Sequence, residues 1–337
     1  MLAVLIINHG TASATCACLA ALFGELAAGA HVLLLDNGSD VADRQQLEAF
    51  AGAHTAQLSF EASGTNLGFA AGMNRLIERA LGEPRVDRLL LLNSDARPTP
   101  GFIAAMEARL DVPTRTDMVA ARLIKDASGT VDSLGICLFR STLASNRLRG
   151  DEVLLGPTGG CALFSRRLLE DLHASHGEYF DAGFFCYAED TDLVIRARWL
   201  GYRAAYADDA VVFHTGSLSS GGPDNDFVLY HGIRNSLWWL IKDAPGGWLL
   251  RSLPWFLLLH GGIWLRHLRR GRARVLWRLY RDALRGLPAM RRKRAIVRAS
   301  RRVPAHEFSQ WVDARFYQRD YVERAWRELW RPAKRPS

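Results

Sequence analysis

The stretch RLLLLNSD (Arg88–Asp95) decides how this chain folds. It is near-continuously apolar and then stops in polar residues. That pattern suits a strand covered on both faces, as in the middle of a parallel sheet. Three earlier stretches have the same form: AVLIIN (3–8), HVLLLDN (31–37) and AQLSFE (56–61). Helical periodicity fills the gaps at 13–28, 40–53 and 70–81. The alternation predicts an α/β fold with parallel strands and crossover helices. In such sheets ligands bind at the carboxyl ends of the strands. Those ends read Asn8, DNGS (36–39) and NSD (93–95), so polar side chains gather where a ligand would sit.

The common nucleotide motifs are missing. No two glycines stand two positions apart and no Gly-Lys pair occurs, which excludes the dinucleotide fingerprint and the P-loop. A length of 337 residues allows one large or two medium domains, and 49 % hydrophobic residues allow a sizeable core. The five cysteines are scattered without zinc-ligand spacing, which fits a reduced, cytosolic compartment. The opening MLAVLIINHG lacks the basic flank and long apolar core of a signal peptide and reads as a strand.

Charge is unevenly spread. Residues 1–230 carry 18 Lys and Arg against 28 Asp and Glu, and residues 231–302 carry 18 against 2. Residues 303–337 carry 7 against 5. The chain therefore reads as an acidic body (1–230), a basic Trp-rich helical region (231–302) and a helical tail (303–337). Trp and Arg interleaved with Leu fit helices lying in a membrane interface, with basic side chains reaching anionic head groups. The window 246–265 has spanning length, but Arg251, Pro254 and His260 interrupt it. No RNA-binding signature accompanies the aromatics and the body is acidic, so nucleic acid is not an expected partner.

The stretch YAEDTDLVIRARWLGY (187–202) places Glu189, Asp190 and Asp192 before a helical run. Carboxylates favour the first turn of a helix, where they meet free N–H groups and the positive end of the dipole. A second reading makes them chemical groups at the rim of a pocket.

Taken together, DNGS (36–39), NLGFAAGMN (66–74), NSD (93–95), AEDTD (188–192) and VVFH (211–214) resemble the family-2 glycosyltransferases of the GT-A fold, and in particular their bacterial rhamnosyltransferase-like branch. The resemblance runs from residue 3 to about 245. It implies a mostly parallel central sheet flanked by helices, with a C-terminal helical membrane-associating extension. It also implies an inverting transfer of a sugar from a nucleotide-diphosphate donor. By this resemblance Asp36, with Asn8 and Asn37, binds the nucleoside; Asn66, Gly68, Gly72 and Asn74 lie against nucleoside and diphosphate. Asn93 and Asp95 stand for the family's Asp-x-Asp, which grips the diphosphate through Mn2+ or Mg2+. The first acid is Asn93 here, leaving Asp95 as the anionic ligand, with His214 placed as the second ligand. Gly160 shapes the sugar site, and Arg198 follows on the helix where it can help hold diphosphate. Asp190 is the expected base, supported by Glu189 and Asp192, because a neutral sugar hydroxyl is a poor nucleophile.

The branch suggests a dTDP-linked deoxysugar such as rhamnose, with UDP-sugars as the alternative. The basic region favours a polyprenyl-linked or cell-surface glycan acceptor, met at the inner face of the cell membrane. Two other classes compete. A nucleotidyltransferase of similar fold needs a basic residue in its first loop, and INHGTASAT (7–15) has none. A non-catalytic membrane-peripheral binding protein would have lost Asp95 or Asp190, and both are present.

Overall fold

The computed structural model describes residues 1–111, 113–215 and 225–329. Its elements begin with β1 (Leu2–Asn8), α1 (Ala12–Phe23), β2 (His31–Asn37), α2 (Val41–Gly52), β3 (Leu58–Ser63), α3 (Gly68–Leu81) and β4 (Arg88–Leu92). β5 (Ala96–Pro98), α4 (Phe102–Glu107), β6 (Thr116–Lys125), β7 (Val131–Ser133), β8 (Ile136–Phe139), β9 (Ala144–Asn146) and β10 (Cys161–Ser165) follow. Then come α5 (Arg166–His176), α6 (Glu189–Trp199), β11 (Arg203–His214), α7 (Asp226–Asp243), α8 (Gly246–Arg269), α9 (Ala273–Ser300), β12 (Val312–Asp313) and α10 (Arg319–Leu329).

The leucines of β4 behave as their sequence predicts. Side chains alternate across a strand. Leu89 and Leu91 enter one core, with α3 and α5, while Leu90 and Leu92 enter the other, with α1 and α4. β1 and β2 divide their side chains in the same way. Strands β3-β2-β1-β4 run parallel. Beyond them the sheet is mixed. β10 lies antiparallel between β4 and β6, and β11 runs parallel to β6. β10 arrives by way of the β7–β9 excursion rather than a crossover helix, and so it enters from the opposite end. A small second sheet has the order β12-β8-β9.

Boundaries shift by small amounts. Helix α1 ends at Phe23 rather than 28, with Gly24 following. β3 lies two residues later than its apolar pattern suggests, because Val32–Asn37 pair with Leu58–Ser63. β4 ends at Leu92, which releases Asn93–Asp95 into the turn before β5.

Residue 230 lies inside α7, and α7 is built into the main core. Trp239, Leu240, Trp248, Met290, Val297, Phe308 and Trp311 join the same apolar cluster as Leu89 and Leu91. Trp199 stacks on Phe308 and donates its indole N–H to the Asp243 carbonyl at 3.0 Å. Many basic residues after 230 meet acids of the body. Lys242 lies 2.7 Å from Asp192 and 2.9 Å from Asp181, and Lys293 reaches Asp181 at 2.6 Å. Arg302 forks onto Asp171. Arg294 and Arg301 donate to the last carbonyls of α7, at Ile241 and Asp243. The acidic body and basic tail therefore neutralise one another at their contact.

α8 is different. Leu250, Leu253, Leu257, Trp264 and Leu268 recur at helical spacing and are all exposed, Leu250 at 75 %. Ser252, His260 and His267 face inward. After Trp248, which anchors the start of the helix in the core, its buried residues are polar while a row of large apolar side chains faces out. Among the described residues no helix is long and apolar enough to cross a membrane.

Candidate active site

A cavity of about 1680 Å³ opens at the carboxyl ends of β1, β2 and β4. Of the residues named from sequence, Asn37, Asn66, Gly68, Asn93, Asp95, Gly160, Glu189, Asp190 and His214 line it. Asn8, Asp36, Gly72, Asn74, Asp192 and Arg198 do not.

The wall formed by Asn37, Asn66 and Gly68 is tied to the strand ends by side-chain amides. Asn37 Oδ1 accepts from the Leu67 N–H at 2.9 Å, and its Nδ2 donates to the Gly68 carbonyl at 3.2 Å. Asn66 Oδ1 accepts from the Gly68 N–H at 2.8 Å. Two glycines make the approach possible. Gly38 has φ +75, and a Cβ there would sit 2.5 Å from the Asn66 nitrogen. Gly68 has φ +78, and its Cβ would meet the Phe185 ring at 2.5 Å. Only glycine tolerates both constraints.

The six residues outside the wall brace it. Asp36 is fully buried; its Oδ1 accepts from Asn8 at 3.1 Å and from the Ser39 hydroxyl. Asn8 Oδ1 in turn accepts from the Thr15 hydroxyl at 2.7 Å. Asn74 closes a two-way amide pair with the Phe180 backbone, each bond 2.8 Å. Gly72 lets α3 pack against Ile7 and Leu35. Arg198 donates to the Leu154 and Leu155 carbonyls, and burial pulls its pKa down to about 10. Asp192 is ion-paired with Arg196 at 2.8 Å and with Lys242. Burial works to raise its pKa, but these two cations hold it below the usual carboxylate range.

At the far side of β4, His214 joins three groups. Its Nε2 lies 3.0 Å from Asn93 Nδ2 and 3.1 Å from Asp95 Oδ1. Its Nδ1 lies 2.8 Å from Asp132 Oδ2. Burial lowers the histidine pKa, yet bonding to Asp132 and Asp95 carries it up to about 9. Asp132 had no signal in the sequence, because it stands alone on a three-residue strand. Among the described residues no cluster of three or more His, Cys, Asp or Glu is arranged to hold a metal. Asp95 and His214 offer one oxygen and one nitrogen. They lie 3.1 Å apart and bonded to each other, so His214 would have to give up its Nε2 proton before it could serve as a ligand.

Asp190 stands at the start of α6. Its Oδ2 accepts from the Gly159 N–H at 3.0 Å, and its Oδ1 accepts from the Thr191 N–H at 2.7 Å. Burial raises its pKa above the ordinary carboxylate value, and these backbone donors only partly offset that. Glu189 is pushed up further, by burial and by the Asp190 charge, and its Oε2 has no hydrogen-bond partner. The next residue after Gly159 completes the geometry. The Gly160 carbonyl accepts from the Asn93 N–H at 2.9 Å. A two-glycine turn thus separates the Asp190 carboxylate from the Asn93–Asp95 turn. Two carboxylic groups of raised proton affinity stand on one side of the cavity, an arrangement for moving a proton, and a histidine paired with two aspartates stands on the other.

This is the GT-A fold, with its site at the carboxyl ends of a curled mixed sheet. Residues 3–173 match the family model described as "Glycosyl transferase family 2", and the chain belongs to that family. Among solved structures it is similar to a mannosyltransferase from Pyrobaculum calidifontis in complex with GDP-Man and Mn2+. The TM-score is 0.53 at 16 % identity, over 89 % of this chain and 85 % of that one. S. aureus TarS 1–349 gives 0.51 at 16 %, over 92 % and 91 %. GalNAc-T7 with UDP, GalNAc and Mn2+ gives 0.55 at 13 %, over 72 % and 48 %. No curated protein matches the chain at a significant level.

Proposed function

We propose that the chain is an inverting glycosyltransferase that moves a sugar from a nucleotide-diphosphate donor to a hydroxyl of a lipid-linked or cell-surface glycan. The observation that carries this reading is the placement of Asp190 across the Gly159–Gly160 turn from Asp95 and His214. Asp190 takes the proton of the acceptor hydroxyl. The acceptor oxygen then forms its bond to the sugar C1 on the face opposite the departing diphosphate, and the C1–O bond to that diphosphate breaks. Asp95 and His214 would hold Mn2+ or Mg2+, as the Mn2+ complexes of two neighbours support. The ion would supply charge neutralisation for the leaving diphosphate. Asp132 fixes the imidazole so that Nε2 faces Asp95. The donor is a dTDP- or UDP-linked sugar, with rhamnose the first candidate.

The test combines donor and metal. Purified protein is screened for thermal stabilisation by dTDP, UDP and GDP, with and without Mn2+, and for nucleotide release from the matching sugars. A ligand at 100 times its Kd should stabilise the folded state by about 2.7 kcal/mol. Asp95→Ala should abolish the manganese-dependent part. Full transfer by thoroughly chelated enzyme would remove the metal from the scheme.

The acceptor is proposed from the shape of the far wall. The cavity continues from Asp190 to Leu257, Leu258, Ile263 and Leu265 of α8. The outward stripe of α8 is apolar, and Trp277 and Leu284 of α9 add exposed apolar surface beside Arg274, Arg278 and Arg285. Such a surface fits a membrane interface at the inner face of the cell membrane, where a polyprenyl-linked glycan is presented. In co-sedimentation, full-length protein should pellet with anionic vesicles and less so with neutral ones. The triple variant Leu250→Glu, Leu253→Glu, Trp264→Glu, whose positions lie outside the cavity, should remain in the supernatant. Equal pelleting of the variant would place the membrane contact elsewhere.

A further inference from the structure

The backbone just before α6 is strained. Phe185, Tyr187 and Ala188 all have φ between +64 and +67, the left-handed region that side chains disfavour. Phe185 combines φ 66 with ψ −66. Three such residues in four positions persist only where their surroundings over-determine them. The sequence there, FCYA, has no glycine to ease the turn.

One side chain from a distant element holds it. Asn235, on α7, is fully buried. Its Nδ2 lies 2.9 Å from the Phe184 carbonyl, 2.8 Å from that of Cys186 and 2.7 Å from that of Tyr187. Two amide hydrogens thus serve three carbonyls that the turn points inward. The Asn235 Oδ1 accepts from Arg234 Nε at 2.9 Å, which fixes which end of the amide faces the turn. Arg234 Nη2 adds a bond to the Phe184 carbonyl at 3.1 Å. On its other side the turn meets the Asn37–Asn66–Gly68 wall, where the Phe185 carbonyl accepts from the Ala70 N–H at 3.1 Å. The turn is therefore bolted to α7 on one side and to the start of α3 on the other. It delivers the chain directly into Glu189 and Asp190.

We propose that Asn235 is a positioning residue for the transfer: its amide clamps the strained Phe185–Ala188 turn and thereby fixes the Asp190 carboxylate against the Gly159–Gly160 wall. The role presupposes the glycosyl transfer proposed above. Asn235 touches neither donor nor acceptor and acts only through the backbone it holds.

The experiment uses Asn235→Ala and Asn235→Asp in the full chain. The aspartate variant keeps shape and the Arg234 contact but loses both donors. Each variant should lower kcat by about 10- to 100-fold, the scale of a misplaced catalytic group, while nucleotide Kd by calorimetry changes by less than about 3-fold. Adding Ala188→Gly removes the conformational penalty at one strained position. It should recover kcat in the Asn235→Ala background by at least about 3-fold, which simple repair of packing would not do. Hydrogen exchange at residues 186–191 should accelerate in the single variants. That readout needs no substrate, so it tests the clamp even if wild-type protein transfers no sugar. Unchanged exchange, recovery absent with Ala188→Gly, a loss confined to nucleotide affinity, or failure of both variants to fold would each overturn the proposal.

Discussion

Asp190→Asn should fold, bind nucleotide and lose transfer by roughly two to four orders of magnitude, the span attributed to a positioned general base. The substituted amide keeps the shape, and its single oxygen can still accept from one of the two N–H groups that the carboxylate oxygens serve, but it has no site for the acceptor proton. The pH profile of wild type gives a second reading. Burial raises the Asp190 pKa, so the carboxyl takes up a proton at higher pH than an ordinary aspartic acid near 3.9. Transfer should be full above the raised value and fall as pH drops through it. In the Asp190→Asn variant the residual rate should lose that acid limb. Wild-type rates from the variant would return the carboxylates of this segment to a capping role.

The largest effect on stability should come from Lys242→Met. Lys242 is 1 % exposed and lies within 3.0 Å of Glu178, Asp181 and Asp192. Burial works against its charge, yet Asp192 and Asp181 raise the ammonium above its usual value, so it stays ionised. Methionine fills the same space and leaves carboxylates without their cation. Removing one partner of a buried ionic group costs about 3–5 kcal/mol, far above a surface pair. Arg285→Met, on the exposed face of α9, should change stability by less than about 0.5 kcal/mol. Urea denaturation followed by circular dichroism separates the two. Equal, small effects would mean that water or a rearranged side chain compensates the Lys242 site.

The parallel half of the sheet was legible because each strand is a short apolar run ending in a polar turn, and the Arg88–Leu92 run shows it most clearly. The cavity-facing Asn66, Asp95 and Asp190 were legible for the same reason: they sit in compact polar clusters at strand and helix ends. Asp36 and Arg198 show the limit of that logic. Both are polar and both lie near the site in sequence, but their side chains satisfy the scaffold rather than face the cavity. Asp132 and Asn235 left no signal, since their partners His214 and Phe184–Tyr187 lie 82 and 48 to 51 positions away. The basic region was the hardest to read. A buried Lys242 and an exposed Arg285 look alike in sequence, and only the acids of the folded body distinguish them. The apolar stripe of α8 shares that texture but faces outward, so one composition serves two environments.

The pairing of β12 with β8 has a consequence for biosynthesis. Val312 pairs with Leu138, so the second strand leaves the ribosome 174 residues after the first. At about 5–20 residues per second the wait is roughly ten to thirty-five seconds. During that time Ile136 is already held by Leu155 and Gly156 on that side, but the Leu138–Phe139 end of β8 lacks its partner, and the cavity lacks Phe316 and Tyr317. An unpaired strand edge is a template for wrong association. Chains stalled near residue 300 should therefore be cleaved by protease around residues 136–146, where the finished protein resists. Equal resistance would mean that this edge is guarded before translation ends. If the edge is open, the small sheet is completed only after Val312 and Asp313 have been made, however early the large sheet has formed.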